Sequence, residues 1–254
     1  MDLLSAINIH LRGSSPAALF IDIDGVITLA RGVYTIDLEL VGLLRELAVK
    51  GIPVYLVSGN AYPVVLTLQR YLGFQPVFVA ENGCVVQVDK EVINLCRESL
   101  DPLVDKISKE FNLRPSSSNA YRLCDRAFHI PSELKNNSLA VRDLEKKIMS
   151  LYPSIYALYT GYVLHIYPRY CSKSASIKII AEKLGIDLSK AIAVGDSVTD
   201  IDMIKTVGIG VATGDADEEL KRESAIVLPF KASESTKVLV KTLLIYVENL
   251  KKIK

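Results

Sequence analysis

Asp22 and Asp24 close the apolar run of "LFIDIDG", two residues apart and followed at once by Gly25. In extended backbone alternate side chains point to one side, so the two carboxylates converge while Ile23 turns away. Buried like charges so close cannot both stay ionised without a cation, and a metal ion removes that objection. Capping of the following loop or helix, a common use of aspartate at strand ends, is the alternative for this pair. An EF-hand calcium loop does not fit, because Gly25 comes too early and no glutamate stands at the later position.

A second acidic pair shifts the balance. "VGDSVTD" sets Asp196 at the end of the apolar "AIAV" and Asp200 in or near the first turn of the helix that follows. Four hard oxygen donors facing one edge suit Mg²⁺, which keeps several of its waters. Ser58, Gly59 and Asn60 end "IPVYLV" and offer a hydroxyl and backbone N–H groups to phosphate oxygens. Lys173, near the start of "KSASIKII", adds a positive charge. Serines often cap helices and lysines are usually solvated, so it is the shared placement at strand ends and helix starts that joins these residues into a site.

Such convergence requires strands that finish at one edge of a sheet. The runs "AALFI", "IPVYLV" and "PVFVA" alternate with the helical patterns "LELVGLLRELAVKG" and "YPVVLTLQRYLG". Crossover units resume with "KSASIKIIAEKLG", "AIAVGD", "DIDMIKTVG", "IGVA" and "AIVLP", and "VLVKTLLIYVENLKKIK" closes the chain as an amphipathic helix. The expected fold class is therefore α/β: a doubly wound, Rossmann-like parallel sheet with helices on both faces. Between the two halves the character changes to hairpins, "CVVQVDKEVINL" and "IYALYTGYVLHIY", with helices over 100–111 and in "NSLAVRDLEKKIMSLY" and a strand at "RAFHI". The expected division is a core of residues 1–83 and 167–254 carrying a small α+β insert of residues 84–166.

The 254 residues, half of them apolar, can bury such a core, and a net charge of +1 leaves no basic excess for a nucleic-acid backbone. Cys84, Cys96, Cys124 and Cys171 stand far apart without a Cys-x-x-Cys pair, so they read as reduced thiols of a cytoplasmic protein. No signal peptide and no apolar stretch of bilayer length is seen, and no membrane role is expected. Walker, nucleophile-elbow and zinc-protease motifs are missing, and "GIGVATG" has the wrong spacing for a dinucleotide fingerprint.

In order along the chain, "DIDGV", "VSGN", Lys173 and "GDSVTD" resemble the four motifs of the haloacid dehalogenase superfamily of phosphatases, and the resemblance covers nearly the whole sequence. The insert between the second and third motifs, with "ENG" at Glu81 to Gly83, resembles the type IIB (Cof-like, sucrose-phosphatase-like) branch. The short cap and "YTGYVLHIYPRYCSK" look most like archaeal phosphoglycolate phosphatases. The resemblance implies that Asp22 is a nucleophile and Asp24 a general acid and base, and that Asp22, Asp24, Asp196 and Asp200 form the magnesium site. It further implies that Ser58, Gly59, Asn60 and Lys173 bind phosphate. Thr199 and Asp215 depart from the usual asparagines of that pattern. The implied activity is hydrolysis of a small phosphorylated metabolite, 2-phosphoglycolate first, by a monomer or homodimer. Sugar-phosphate hydrolysis, phosphomutase action and a non-catalytic phosphate-binding module are the alternatives. Arg122, His129, Tyr162, His165 and Arg169 are the cap's candidates for substrate choice, although the apolar strands around His129 and His165 favour packing roles.

Overall fold

The computed structural model describes residues 2–253. In chain order its strands are β1 (Leu19–Ile21), β2 (Val54–Val57), β3 (Val77–Ala80), β4 (Val85–Val88), β5 (Glu91–Asn94), β6 (Arg114–Pro115), β7 (Arg126–His129), β8 (Ile155–Tyr159), β9 (Leu164–Pro168), β10 (Ile192–Gly195), β11 (Ile209–Ala212) and β12 (Ile226–Val227). One eight-stranded sheet has the order β12-β11-β10-β1-β2-β3-β4-β5, and a four-stranded sheet has the order β6-β7-β9-β8. From β12 to β3 the neighbours are parallel. The α/β class with a doubly wound parallel core holds.

The central strands β1, β2, β3, β10 and β11 are buried at every position, as strands covered on both faces must be, and their sequences are accordingly unbroken apolar runs. Alternation sorts their side chains. Leu19 and Ile21 share a core with Leu40 and Leu44 of the helix Leu38–Val49 and with Leu239 and Leu243 of the helix Ala232–Ile253. Phe20 points the other way, into a core with Ile177 and Ile180 of the helix Lys173–Leu184.

The hairpin "CVVQVDKEVINL" forms, but it does not belong to the second sheet. β4 pairs antiparallel with β3, and β5 becomes the exposed edge, so residues 85–94 extend the large sheet. The reason is burial: β4 is covered at all four positions, and only a neighbouring sheet already flanked by helices supplies that cover. The second sheet begins at β6, and its apolar face, with Phe128, Leu164 and Ile166, packs against Ile107, Leu144 and Ile148 from the helices Asp101–Phe111 and Ser138–Leu151.

Three further differences have local causes. A helix at Leu3–Leu11, capped by Asp2, buries Ile7 and Leu11 in the main core. The last helix begins at Ala232, earlier than apolar spacing suggests, because its first turns bury small polar groups instead; Thr236 Oγ1 donates to the Val26 carbonyl at 2.9 Å. Cys96 and Cys124 are joined by a disulfide, contrary to the expectation of four reduced thiols, because folding of the second sheet brings their Cα atoms to 5.6 Å. Cys84 and Cys171 remain free and buried, and burial pushes the Cys84 thiol well up. No helix among the described residues is long and apolar enough to cross a membrane.

Candidate active site

The order of the large sheet reverses at β1, which lies between β10 and β2. At such a switch point the loops leaving the strands part and open a crevice at their carboxyl ends. Asp22 follows β1, Ser58 to Asn60 follow β2 and Asp196 follows β10. Facing them is the β8–β9 turn of the small sheet. A cavity of about 490 Å³ lies between, lined by Asp22, Asp24, Gly59, Asn60, Lys173 and Asp196 from one side and by Arg122, Tyr162 and His165 from the other. Ile23 is absent from that lining and sits in the core, as alternation requires.

Two glycines make the approach possible. Gly25 has φ +74°, and a Cβ there would lie 2.3 Å from Asp196 Oδ2. Gly83 has φ +90°, and its Cβ would fall 2.1 Å from the Ser172 carbonyl carbon, where the Lys173 helix begins. Only glycine meets both demands. Ser176 Oγ donates to the Gly83 carbonyl at 2.6 Å, and the Ser172 side chain accepts from Ala175 N at 3.0 Å, so the start of that helix is fixed.

Lys173 is consequently buried, 3% exposed, with Nζ donating to Asp22 Oδ1 at 3.1 Å and to Asp200 Oδ1 at 2.6 Å. The other Asp200 oxygen accepts from the backbone N–H of Asp196 and of Ser197, each at 3.1 Å. Asp200 thus spends both oxygens on the protein, while Asp22, Asp196 and Asp200 still bring one oxygen each within 4.8 Å of the others. Asp24 Oδ2 accepts from Asn60 Nδ2 at 2.7 Å. Ser58 lies beneath this lining: its Oγ accepts from Asn60 N at 3.0 Å and from Asn60 Nδ2 at 3.1 Å, so it shapes the loop instead of facing the cavity.

The three carboxylates match a hard divalent ion in donor type, and their burial gives them a reason to want one. Burial pushes Asp22 up to about 7, with Asp200 and Asp24 adding to it against the pull of Lys173. Burial, with Asp200 and Asp22 beside it, pushes Asp196 up to about 8 despite Arg31 and Lys173. Lys173 is raised by Asp200 and Asp22 even though burial opposes its charge, so it stays an ammonium. A carboxylate raised in the folded state stabilises the fold below its unfolded pKa and loses that contribution as pH climbs through the folded value. The metal-free protein should therefore lose stability between roughly pH 4 and pH 8. Added Mg²⁺ should raise the melting temperature much more at about pH 8 than at about pH 5, because only the ionised cluster holds it. Thermal melts with and without Mg²⁺ across that range check this; an equal shift at both ends would contradict it.

Spacing did not reveal Arg31, a loop arginine whose Nε lies 2.7 Å from Asp196 Oδ2 and whose Nη1 lies 2.9 Å from Asp217 Oδ1. Nor did it reveal Glu81, which is wholly buried and accepts from the backbone N–H groups of Tyr62, Leu123, Cys124 and Asp125 at 2.8–3.1 Å. Glu81 ties the end of the large sheet to the segment that carries Arg122. Of the five cap candidates, Arg122, Tyr162 and His165 reach the cavity. His129 lines a separate cleft with Arg114 and Lys135, and Arg169 donates to the Pro153 carbonyl beside another. Asp215 Oδ1 accepts from Ala232 N and its carbonyl accepts from Arg31, so it serves the surrounding loops.

A profile of haloacid dehalogenase-like hydrolases matches residues 19–138 and 108–236. A phosphoglycolate phosphatase of Sulfolobus acidocaldarius is 34% identical over 220 residues, covering 87% of this chain and 93% of that protein. Among solved structures, a Thermoplasma acidophilum protein superposes with a TM-score of 0.79 at 24% identity, over 91% of this chain and 99% of that one. A subclass IIB sugar phosphatase superposes with a TM-score of 0.70 at 18% identity, over 90% and 98% of the two chains.

Proposed function

We propose that this chain, which belongs to the haloacid dehalogenase-like hydrolase family, is a Mg²⁺-dependent phosphatase that cleaves 2-phosphoglycolate to glycolate and phosphate through an aspartyl phosphate on Asp22. The observation that carries this reading is the arrangement around β1: Asp22 is held by Lys173 at 3.1 Å, and Asp24 opens onto the same cavity. The name of the Sulfolobus relative supports the choice of substrate.

In the first step an Asp22 carboxylate oxygen attacks phosphorus as the bond from phosphorus to the glycolate oxygen breaks. Asp24 gives its proton to that departing oxygen. Its readiness follows from burial, which raises its pKa although Asn60 and Lys173 pull the other way. In the second step Asp24, now ionised, takes a proton from water as the water oxygen attacks phosphorus; the Asp22–phosphorus bond breaks and the carboxylate is restored. Lys173 and the backbone of the Gly59 loop draw the transferring oxygens, which is where most of the catalysis of phosphoryl transfer resides. Asp22, Asp196 and the Asp24 carbonyl are suited to hold Mg²⁺, and Asp200 orients Asp196 and Lys173 beside them. When bound, Mg²⁺ supplies positive charge against the phosphoryl oxygens.

A phosphate-release screen tests the reading with 2-phosphoglycolate, sugar phosphates, nucleotides and phosphoserine, each with Mg²⁺ and with EDTA. The expected result is the highest kcat/KM for 2-phosphoglycolate, lost on chelation and restored by Mg²⁺. A preference for hexose phosphates would overturn the substrate, and indifference to EDTA would overturn the metal.

A further inference from the structure

We propose that Arg122, held in place together with His165 by the buried Asp125, reads the carboxylate of the substrate, so that the cap selects short phosphorylated acids. The inference rests on the phosphatase reading above and adds the groups that recognise the part of the substrate remote from phosphorus.

Asp125 is wholly buried, and its two oxygens divide between the two side chains of the subsite. Oδ1 accepts from Arg122 Nη1, and Oδ2 lies 2.9 Å from His165 Nδ1 and accepts from Asn82 Nδ2 at 2.9 Å. Burial alone would raise the Asp125 carboxyl, but Arg122 and His165 outweigh it and hold the group below the ordinary carboxylate range. A carboxylate so placed orients both the guanidinium and the imidazole and demands the N–H form of His165 Nδ1.

Arg122 is held at two more points, Nε donating to Ser118 Oγ at 3.2 Å and Nη1 to the Gly59 carbonyl at 3.1 Å. Its side chain is 6% exposed and that of His165 5%. Among the described residues Arg122 Nη2 and His165 Nε2 make no hydrogen bond, yet both residues line the cavity that contains Asp22 and Lys173. A desolvated guanidinium whose Nη2 is unspent, braced by a buried acid, is a preorganised receptor for an anion, and His165 holds that acid in place beside it.

Reach decides which anion. Arg122 touches the carbonyl of Gly59, the residue beside the phosphate loop's Asn60, so the subsite lies directly against the place of the transferring group. In a phosphorylated hydroxy acid with one carbon between ester oxygen and carboxyl, the carboxylate lies roughly 4–5 Å from phosphorus, a chain of bonds of about 1.5 Å each. The Glu81 carboxylate and Asn82 hold residues 123–125 to the large sheet and so anchor the segment beside Arg122.

The test compares kcat/KM for 2-phosphoglycolate with that for 2-hydroxyethyl phosphate, which replaces the carboxylate with a neutral hydroxymethyl group, in the wild type and in Arg122→Gln, Arg122→Lys and His165→Gln. The ratio of the two is expected to fall roughly 10- to 100-fold in Arg122→Gln, and less in Arg122→Lys, which keeps the charge but loses the fork, and in His165→Gln, which loosens the brace on Asp125. The inhibition constant of glycolate should rise in parallel while that of inorganic phosphate moves less. Circular dichroism and melts of each variant identify any that fail to fold, and Arg122→Lys keeps the comparison open if Arg122→Gln does. An unchanged ratio in folded variants would overturn the subsite. A wild type that releases phosphate from 2-hydroxyethyl phosphate but not from 2-phosphoglycolate would instead overturn the substrate reading on which it rests.

Discussion

Replacing Asp22 by asparagine is expected to lower turnover of every phosphomonoester by at least about 10³-fold while leaving the fold standing. The amide keeps the shape of the carboxylate but has no oxygen able to form the acyl phosphate. Structurally the change is mild, because it removes a charge that burial already disfavours at this position. The metal-free variant should therefore melt no lower than the wild type near pH 8, and its Mg²⁺ response should shrink. Rates with 2-phosphoglycolate and thermal melts on one preparation check both halves. Retained activity would end the assignment of Asp22, and collapse of the fold would show that its charge is structural.

Lys173→Met should differ from Asp22→Asn, with stability lost as well as activity. The Lys173 ammonium is the only side-chain cation bonded to Asp22 among the described residues, and it also bonds Asp200. Its removal leaves buried carboxylates without their partner, a change that costs about 3–5 kcal/mol in comparable buried pairs. Added Mg²⁺ should restore part of that stability, because it neutralises the same acids. Activity should not follow: removing one preorganised positive donor from a transferring group costs on the order of 10²–10³ in rate. Denaturant unfolding with and without Mg²⁺, alongside kcat, separates these effects. Full stability without metal would mean that Lys173 is not the charge holding the cluster together.

The convergence of the four aspartates and Lys173 around β1 was legible because its signals are local. Each of β1, β2 and β10 is an apolar run that stops at an acid or a small polar residue, and parallel sheets gather such ends at one edge. What escaped depends on contacts between distant segments. Asp125 and His165 are 40 residues apart, and Glu81 meets Asp125 across 44. No spacing rule announces such pairs, and the same holds for Arg31 on Asp196 and for the Cys96–Cys124 bond. Pattern also could not say which sheet the hairpin of β4 and β5 would join, because alternation describes a strand's faces and not its neighbour. Ser58 shows a subtler limit. Its position after β2 was right, but its hydroxyl is turned to Asn60, so it acts on the loop and not on the cavity.

The central claim is that an oxygen of Asp22 bonds to phosphorus during turnover. Acid-quenching the enzyme while it hydrolyses 2-phosphoglycolate with Mg²⁺, reducing with borohydride and sequencing the peptides by mass spectrometry tests it most directly, since reduction of an acyl phosphate converts aspartate to homoserine. Homoserine is expected at position 22 only when substrate and Mg²⁺ are both present. An unmodified Asp22 in an enzyme shown to be turning over, or modification at another residue, would contradict it.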